Sequence, residues 1–97
     1  MKRLSNKEIL NELSLLNDWV LNDNQITKVY KLNSFMEVMS LANLVSDKSE
    51  QIDHHPKMII DFNKIEFLIT THSEGGITNL DFSLASFIEE TYNELFS

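Results

Sequence analysis

Residues 57–72 read KMIIDFNKIEFLITTH. The run is rich in β-branched and aromatic side chains and is interrupted once, at Asn63-Lys64. That composition predicts two strands folded into a hairpin. In the second strand Ile65, Phe67 and Ile69 fall on one face, with Glu66, Leu68, Thr70 and His72 on the other. A strand with one apolar face must cover it, so the rest of the chain is read for what could do so.

Upstream, NSFMEVMSLANLVSDKSEQID (33–53) repeats apolar residues at helical spacing: Phe35, Val38, Met39, Ala42 and Val45. Ser34 and Glu37 stand at capping-box positions, and the helix is expected to run to Glu50 or Ile52, stopped by Pro56. Further upstream, ITKVYKL (26–32) follows the polar turn LNDNQ (21–25), which predicts a first hairpin turning near Asp23-Asn24. A helix over residues 6–16 precedes it, marked by Ser5 and Glu8 as a capping box and by Ile9, Leu13 and Leu16 as a stripe. Downstream, SEGGI (73–77) is a loop. Thr78 then caps a last helix with Asp81 in the capping-box position, Ile77 and Phe82 as a hydrophobic staple, and Leu84, Ala85, Ile88, Tyr92 and Leu95 along one stripe.

The predicted order is α-β-β-α-β-β-α. The two hairpins make one four-stranded antiparallel sheet, and the helices pack on one face of it, in a two-layer α+β domain over residues 1–97. Such a small domain gains from self-association.

Composition narrows the function. The net charge of -7 disfavours direct nucleic-acid binding and adhesion to anionic membranes. With no cysteine there are no disulfides and no thiolate chemistry, which fits a reducing compartment. The opening MKRLSNKEILNELS lacks the apolar stretch of a signal peptide, and nothing approaches a membrane span, so a cytoplasmic protein is expected.

Two of the chain's three histidines stand together in EQIDHHPK (50–57), and the third, His72, closes the last strand. Histidine exchanges protons near neutral pH, and chain ends of elements can aim side chains into a cleft. Converging imidazoles with Glu50, Asp53 or Asp81 would form a proton-transfer site without a cofactor. On its own, a His-His pair at a helix exit more often caps or decorates a surface. Zinc is disfavoured, because the spacing matches no familiar ligand pattern. Trp19 alone reads as core, the Met and Phe stripe of 35–45 as core, and Glu37, Glu89, Glu90 and Glu94 as a solvated face.

The combination EQIDHHPK, FNKIEFLITTH and GGITNLDFSLASFIEE resembles the pterin-4a-carbinolamine dehydratases, also called 4a-hydroxytetrahydrobiopterin dehydratases. The pattern is an acidic residue four before His-His-Pro, a later aromatic residue, a histidine ending the next strand and an aspartate nine further on. It falls on Glu50, His54-His55-Pro56, Phe62, His72 and Asp81. The likeness spans about residues 18–92, with Trp19 and Phe35 also matched, and departs at Lys57, Met58 and Phe62.

The resemblance implies a sheet with helices on one side, and dimers or tetramers, the dimer joining sheets edge to edge. It implies dehydration of a 4a-hydroxytetrahydropterin to the quinonoid dihydropterin, a hydro-lyase reaction with no redox step and so no cofactor. His54 and His72 would be the acid–base pair and His55 would orient the pterin. Glu50 would tune His54, Asp81 would tune His72, and Trp19 would wall the pocket, these three being the expected substrate-binding residues. Some animal members of the family also serve as dimerisation cofactors for a transcription factor, so the alternative is a non-catalytic protein-binding module of the same fold.

Overall fold

The computed structural model describes residues 2–97. The chain forms α1 (Asn6–Leu13), β1 (Val20–Asn22), β2 (Gln25–Lys31), α2 (Phe35–Ile52), β3 (Lys57–Asp61), β4 (Lys64–Ile69) and α3 (Asn79–Leu95). The strands build one antiparallel sheet in the order β1-β2-β4-β3, with the helices on one face, as the hydrophobic pattern predicts.

Strand pairing follows the period-two pattern. Ile26 stands opposite Ile69, Tyr30 opposite Ile65, and Met58 opposite Phe67. Ile26, Ile65, Phe67 and Ile69 are fully buried, and Tyr30 nearly so. The helices close over them with Val38, Leu41 and Val45 from α2 and Leu84, Ala85 and Ile88 from α3. Each of the Val, Leu, Ile and Phe side chains among them contributes about 1.5–3 kcal/mol when taken out of water. The expected Phe and Met stripe is shifted: Phe35 and Met36, in the first turn of α2, are exposed, and the buried stripe is Val38, Leu41, Ala42, Val45 and Ser49.

The helix ends explain themselves locally. Ser5 and Glu8 form the capping box of α1, which stops at Leu13 rather than 16. Beyond it the amides of Leu15 and Leu16 bond the carbonyls of Glu12 and Leu13, three residues back, so the coil tightens instead of continuing. At α2, Ser34 Oγ accepts from Glu37 N–H, but the Glu37 carboxylate reaches back to Asn33 N–H, one residue beyond the expected partner.

The C-terminus of α2 is not made by Pro56. It is a Schellman motif: Asp53 takes the left-handed conformation (φ 50°), its N–H bonds Glu50 O at 3.4 Å, and His54 N–H bonds Ser49 O at 3.0 Å. Pro56 comes later, immediately before β3.

No helix of the described residues is long and apolar enough to cross a membrane.

Candidate functional site

The Schellman turn brings the two adjacent histidines out of the helix in different settings. His54 is buried, with Nε2 2.6 Å from Asp81 Oδ1 in the first turn of α3. His55 is exposed, with Nε2 2.5 Å from Glu50 Oε2. The pairing differs from that expected: Glu50 meets His55 rather than His54, and Asp81 meets His54 rather than His72. Four-residue spacing would put Glu50 with His54 on a continuing helix. The left-handed Asp53 turns the chain first, so His55 meets Glu50 and His54 turns inward.

Asp81 is wholly buried, and both of its oxygens are engaged. Oδ2 accepts from Thr71 Oγ1 at 2.8 Å and from the Thr78 backbone N–H at 2.8 Å, while Oδ1 faces His54. Thr71 has one hydroxyl proton, and Asp81 takes it. The 2.9 Å contact between Thr71 and Thr78 is thus donated by Thr78, whose oxygen also accepts from Leu80 N–H. Every neighbour of the carboxylate is a donor, so the bond from His54 runs from Nε2–H to Oδ1. This assigns the Nε2–H tautomer to the neutral ring and leaves Nδ1 as its acceptor nitrogen.

His72 is exposed. It does not end β4, which stops at Ile69, but opens a 3-10 turn (His72–Glu74). Thr71 and Gly76 exchange backbone hydrogen bonds across this loop and close it. His72 follows directly on Thr71, so the hydroxyl that holds Asp81 also anchors the loop that carries His72.

Trp19 lies elsewhere in the core. Its Nε1–H donates towards Tyr30 Oη (3.1 Å) and Glu89 Oε1 (3.3 Å), and Glu89 Oε1 also accepts from Tyr30 Oη (2.5 Å) and Lys28 Nζ (2.7 Å). Glu89 is eight residues along α3 from Asp81, about 12 Å. The expectation that Glu89 belongs to a solvated face is corrected here, because it is buried. Burial works against its charge, yet the hydrogen bonds from Lys28 and Tyr30 outweigh it and hold the carboxyl below its usual range. The same burial, with Glu89 as acceptor, drives the Tyr30 hydroxyl far above its usual range. Spacing could have shown this: Glu89 is four beyond Ala85 and seven beyond Phe82, on the buried stripe. The role of Thr71 had no such signal, since it depends on a contact across ten residues.

Comparison with known proteins agrees with this architecture. Residues 2–91 match the family model described as "Pterin 4 alpha carbinolamine dehydratase". The chain belongs to the pterin-4a-carbinolamine dehydratase family. Two relatives carry the name "Putative pterin-4-alpha-carbinolamine dehydratase". One, from Sulfurisphaera tokodaii, is 40% identical, covering 93% of this chain and 97% of its own. The other, from Chloroflexus aurantiacus, is 37% identical with the same two coverages. A crystal structure from Brucella melitensis, titled a transcriptional coactivator/pterin dehydratase, superimposes with a TM-score of 0.89 at 28% identity, covering 92% of this chain and 97% of that one. The family match takes in α1 as well as the histidine region.

Proposed function

We propose that this member of the family is a 4a-hydroxytetrahydropterin dehydratase, with His54 as general base and His72 as general acid. The observation that carries the reading is the buried His54–Asp81 pair. The reaction breaks the C4a–O bond, the hydroxyl leaving as water with one proton from an acid, and breaks an adjacent ring N–H bond, whose proton goes to a base; the electron pair left on the nitrogen forms the C4a–N double bond of the quinonoid product. A histidine whose far nitrogen donates to a carboxylate is suited to the base, because the carboxylate stabilises the imidazolium formed when Nδ1 takes the proton. His72, exposed on its turn, can exchange protons with water and supply the acid. His55, held by Glu50 at the rim, would orient the pterin.

Of the residues expected to bind substrate, Asp81 is assigned to positioning His54 and Glu50 to positioning His55. Trp19, at 4% exposure, serves the site through packing. Purified protein assayed with a 4a-hydroxytetrahydropterin tests the reading. His54→Ala and His72→Ala should each lower turnover by about 10²–10⁴-fold. Unchanged turnover in the double variant, or none in a folded wild type, overturns it, the second result favouring the protein-binding module.

The proposal includes a homodimer joined along β3. That strand pairs with β4 on one side only, and Ile59, Ile60 and the following Phe62 are exposed. An open apolar edge invites a two-fold copy of itself. It also includes a cytoplasmic site of action, supported by the cysteine-free composition.

A further inference from the structure

The loop between β4 and α3 carries His72 at its start and runs into Thr78 and Asp81 at its end. Its own framework is slight: the 3-10 turn, with Glu74 N–H on Thr71 O and Gly75 N–H on His72 O, and the Thr71–Gly76 pair. Yet three contacts from distant parts of the chain close on its middle. Leu4 N–H donates to Ile77 O at 2.7 Å. Asn24, in the turn between β1 and β2, donates from Nδ2 to Gly75 O at 2.7 Å. The Arg3 side chain lies across Gly76, and its Nη1 reaches Gly75 O at 3.5 Å.

Both of the chain's glycines sit at this point. Gly75 is left-handed (φ 70°), which presents its carbonyl to Asn24 and Arg3. Gly76 answers a different need. A Cβ there would stand 2.6 Å from Arg3 Cδ, 3.0 Å from Arg3 Cγ and 3.4 Å from Asn24 Oδ1. Beside the grip is a cavity of about 300 Å³, bordered by Arg3, Leu4, Asn24 and Ile77 among others. The loop is anchored at Ile77, which is buried in the core, while the exposed Gly75 is held by these polar contacts.

We propose that Asn24 and Arg3 are positioning residues for His72, holding its loop from outside the site. The inference rests on the dehydratase reading for its effect on turnover, but not for its effect on the loop. Asn24→Asp keeps the shape, removes the donor and sets an oxygen against Gly75 O. Arg3→Ala uncovers Gly76, whereas Arg3→Lys keeps its methylenes in place.

The test measures kcat and KM with a 4a-hydroxytetrahydropterin, and hydrogen exchange at the amides of Thr71, Glu74, Gly75 and Gly76. Asn24→Asp should lower kcat by about 10–10²-fold with KM within about twofold, as misplacement of a reacting group does. Exchange at the loop amides should quicken while that of α2 does not. Arg3→Ala should do the same more weakly, and Arg3→Lys should restore both readouts. If Asn24→Asp and Arg3→Ala leave kcat and loop exchange unchanged while His72→Ala abolishes turnover, the positioning role is wrong and the dehydratase stands. If the wild type shows no turnover, the exchange result decides alone: faster loop exchange in the variants upholds the grip, and unchanged exchange overturns it.

Discussion

At the residue scale, Asp81 does two jobs with one carboxylate. Oδ2 closes the capping box of α3, and Oδ1 sets the tautomer of His54. Asp81→Asn separates them. The amide oxygen can keep Thr78 N–H and Thr71, which turns the NH2 group towards His54 and forces Nε2 to accept. The proton then moves to Nδ1, and His54 can no longer serve as the proposed base. Turnover should fall by about 10²–10⁴-fold, with a stability loss near 1 kcal/mol in urea unfolding. Asp81→Ala also leaves buried donors unsatisfied, so its stability loss should be larger, about 1–3 kcal/mol. The Glu50–His55 pair is solvent-exposed, and Glu50→Gln should change stability by less than about 1 kcal/mol.

Among the described residues four that are not glycine are left-handed, Asp18, Asp23, Asp53 and Phe62; Asp53 closes α2 and Phe62 opens the turn between β3 and β4, both with φ 50°. An L-residue in this region costs about 1–2 kcal/mol, less for aspartate than for phenylalanine. Phe62 is exposed in the single chain, so once Ile59→Lys has separated the proposed dimer little packing opposes its replacement. In that background Phe62→Gly should raise the thermal midpoint by a few degrees, while Asp53→Gly should be near neutral and Asp53→Val should lower it. Differential scanning calorimetry distinguishes these outcomes. Element ends are also where the sequence was hardest to read. The strands and helices were legible because Ile65, Phe67 and Ile69, or Leu84, Ala85 and Ile88, state their periods directly. The pairing of each histidine was not, because it turns on φ at Asp53, and aspartate tolerates either hand. β4 ends three residues before His72 rather than at it, because the Thr71–Gly76 closure depends on chain brought back across the turn.

Across the whole molecule, the Trp19–Tyr30–Glu89–Lys28 network ties the start of the sheet to α3 and makes stability depend on pH at both extremes. The Glu89 carboxyl is held below its usual 4.5 in the fold, so its contribution is present above that pH and is lost as pH falls through the folded value. The Tyr30 hydroxyl is held above its usual 10.0, so its contribution is present below that pH and is lost as pH rises beyond it. Urea midpoints should form a plateau between these limits. Glu89→Gln should flatten the acid limb and Tyr30→Phe the alkaline limb, each at a cost of about 1–3 kcal/mol from partners left unsatisfied. The proposed dimer belongs to this scale too: Ile59→Lys on β3 should shift the protein towards monomer in sedimentation without altering its circular dichroism. The shared carboxylate of Asp81 has a consequence for heating as well. The first turn of a helix frays before the helix melts, and here each frayed molecule has released His54 from its carboxylate partner. Thermal inactivation should therefore run ahead of unfolding, reversibly, with catalysis fading while the far-ultraviolet signal still reports an intact protein.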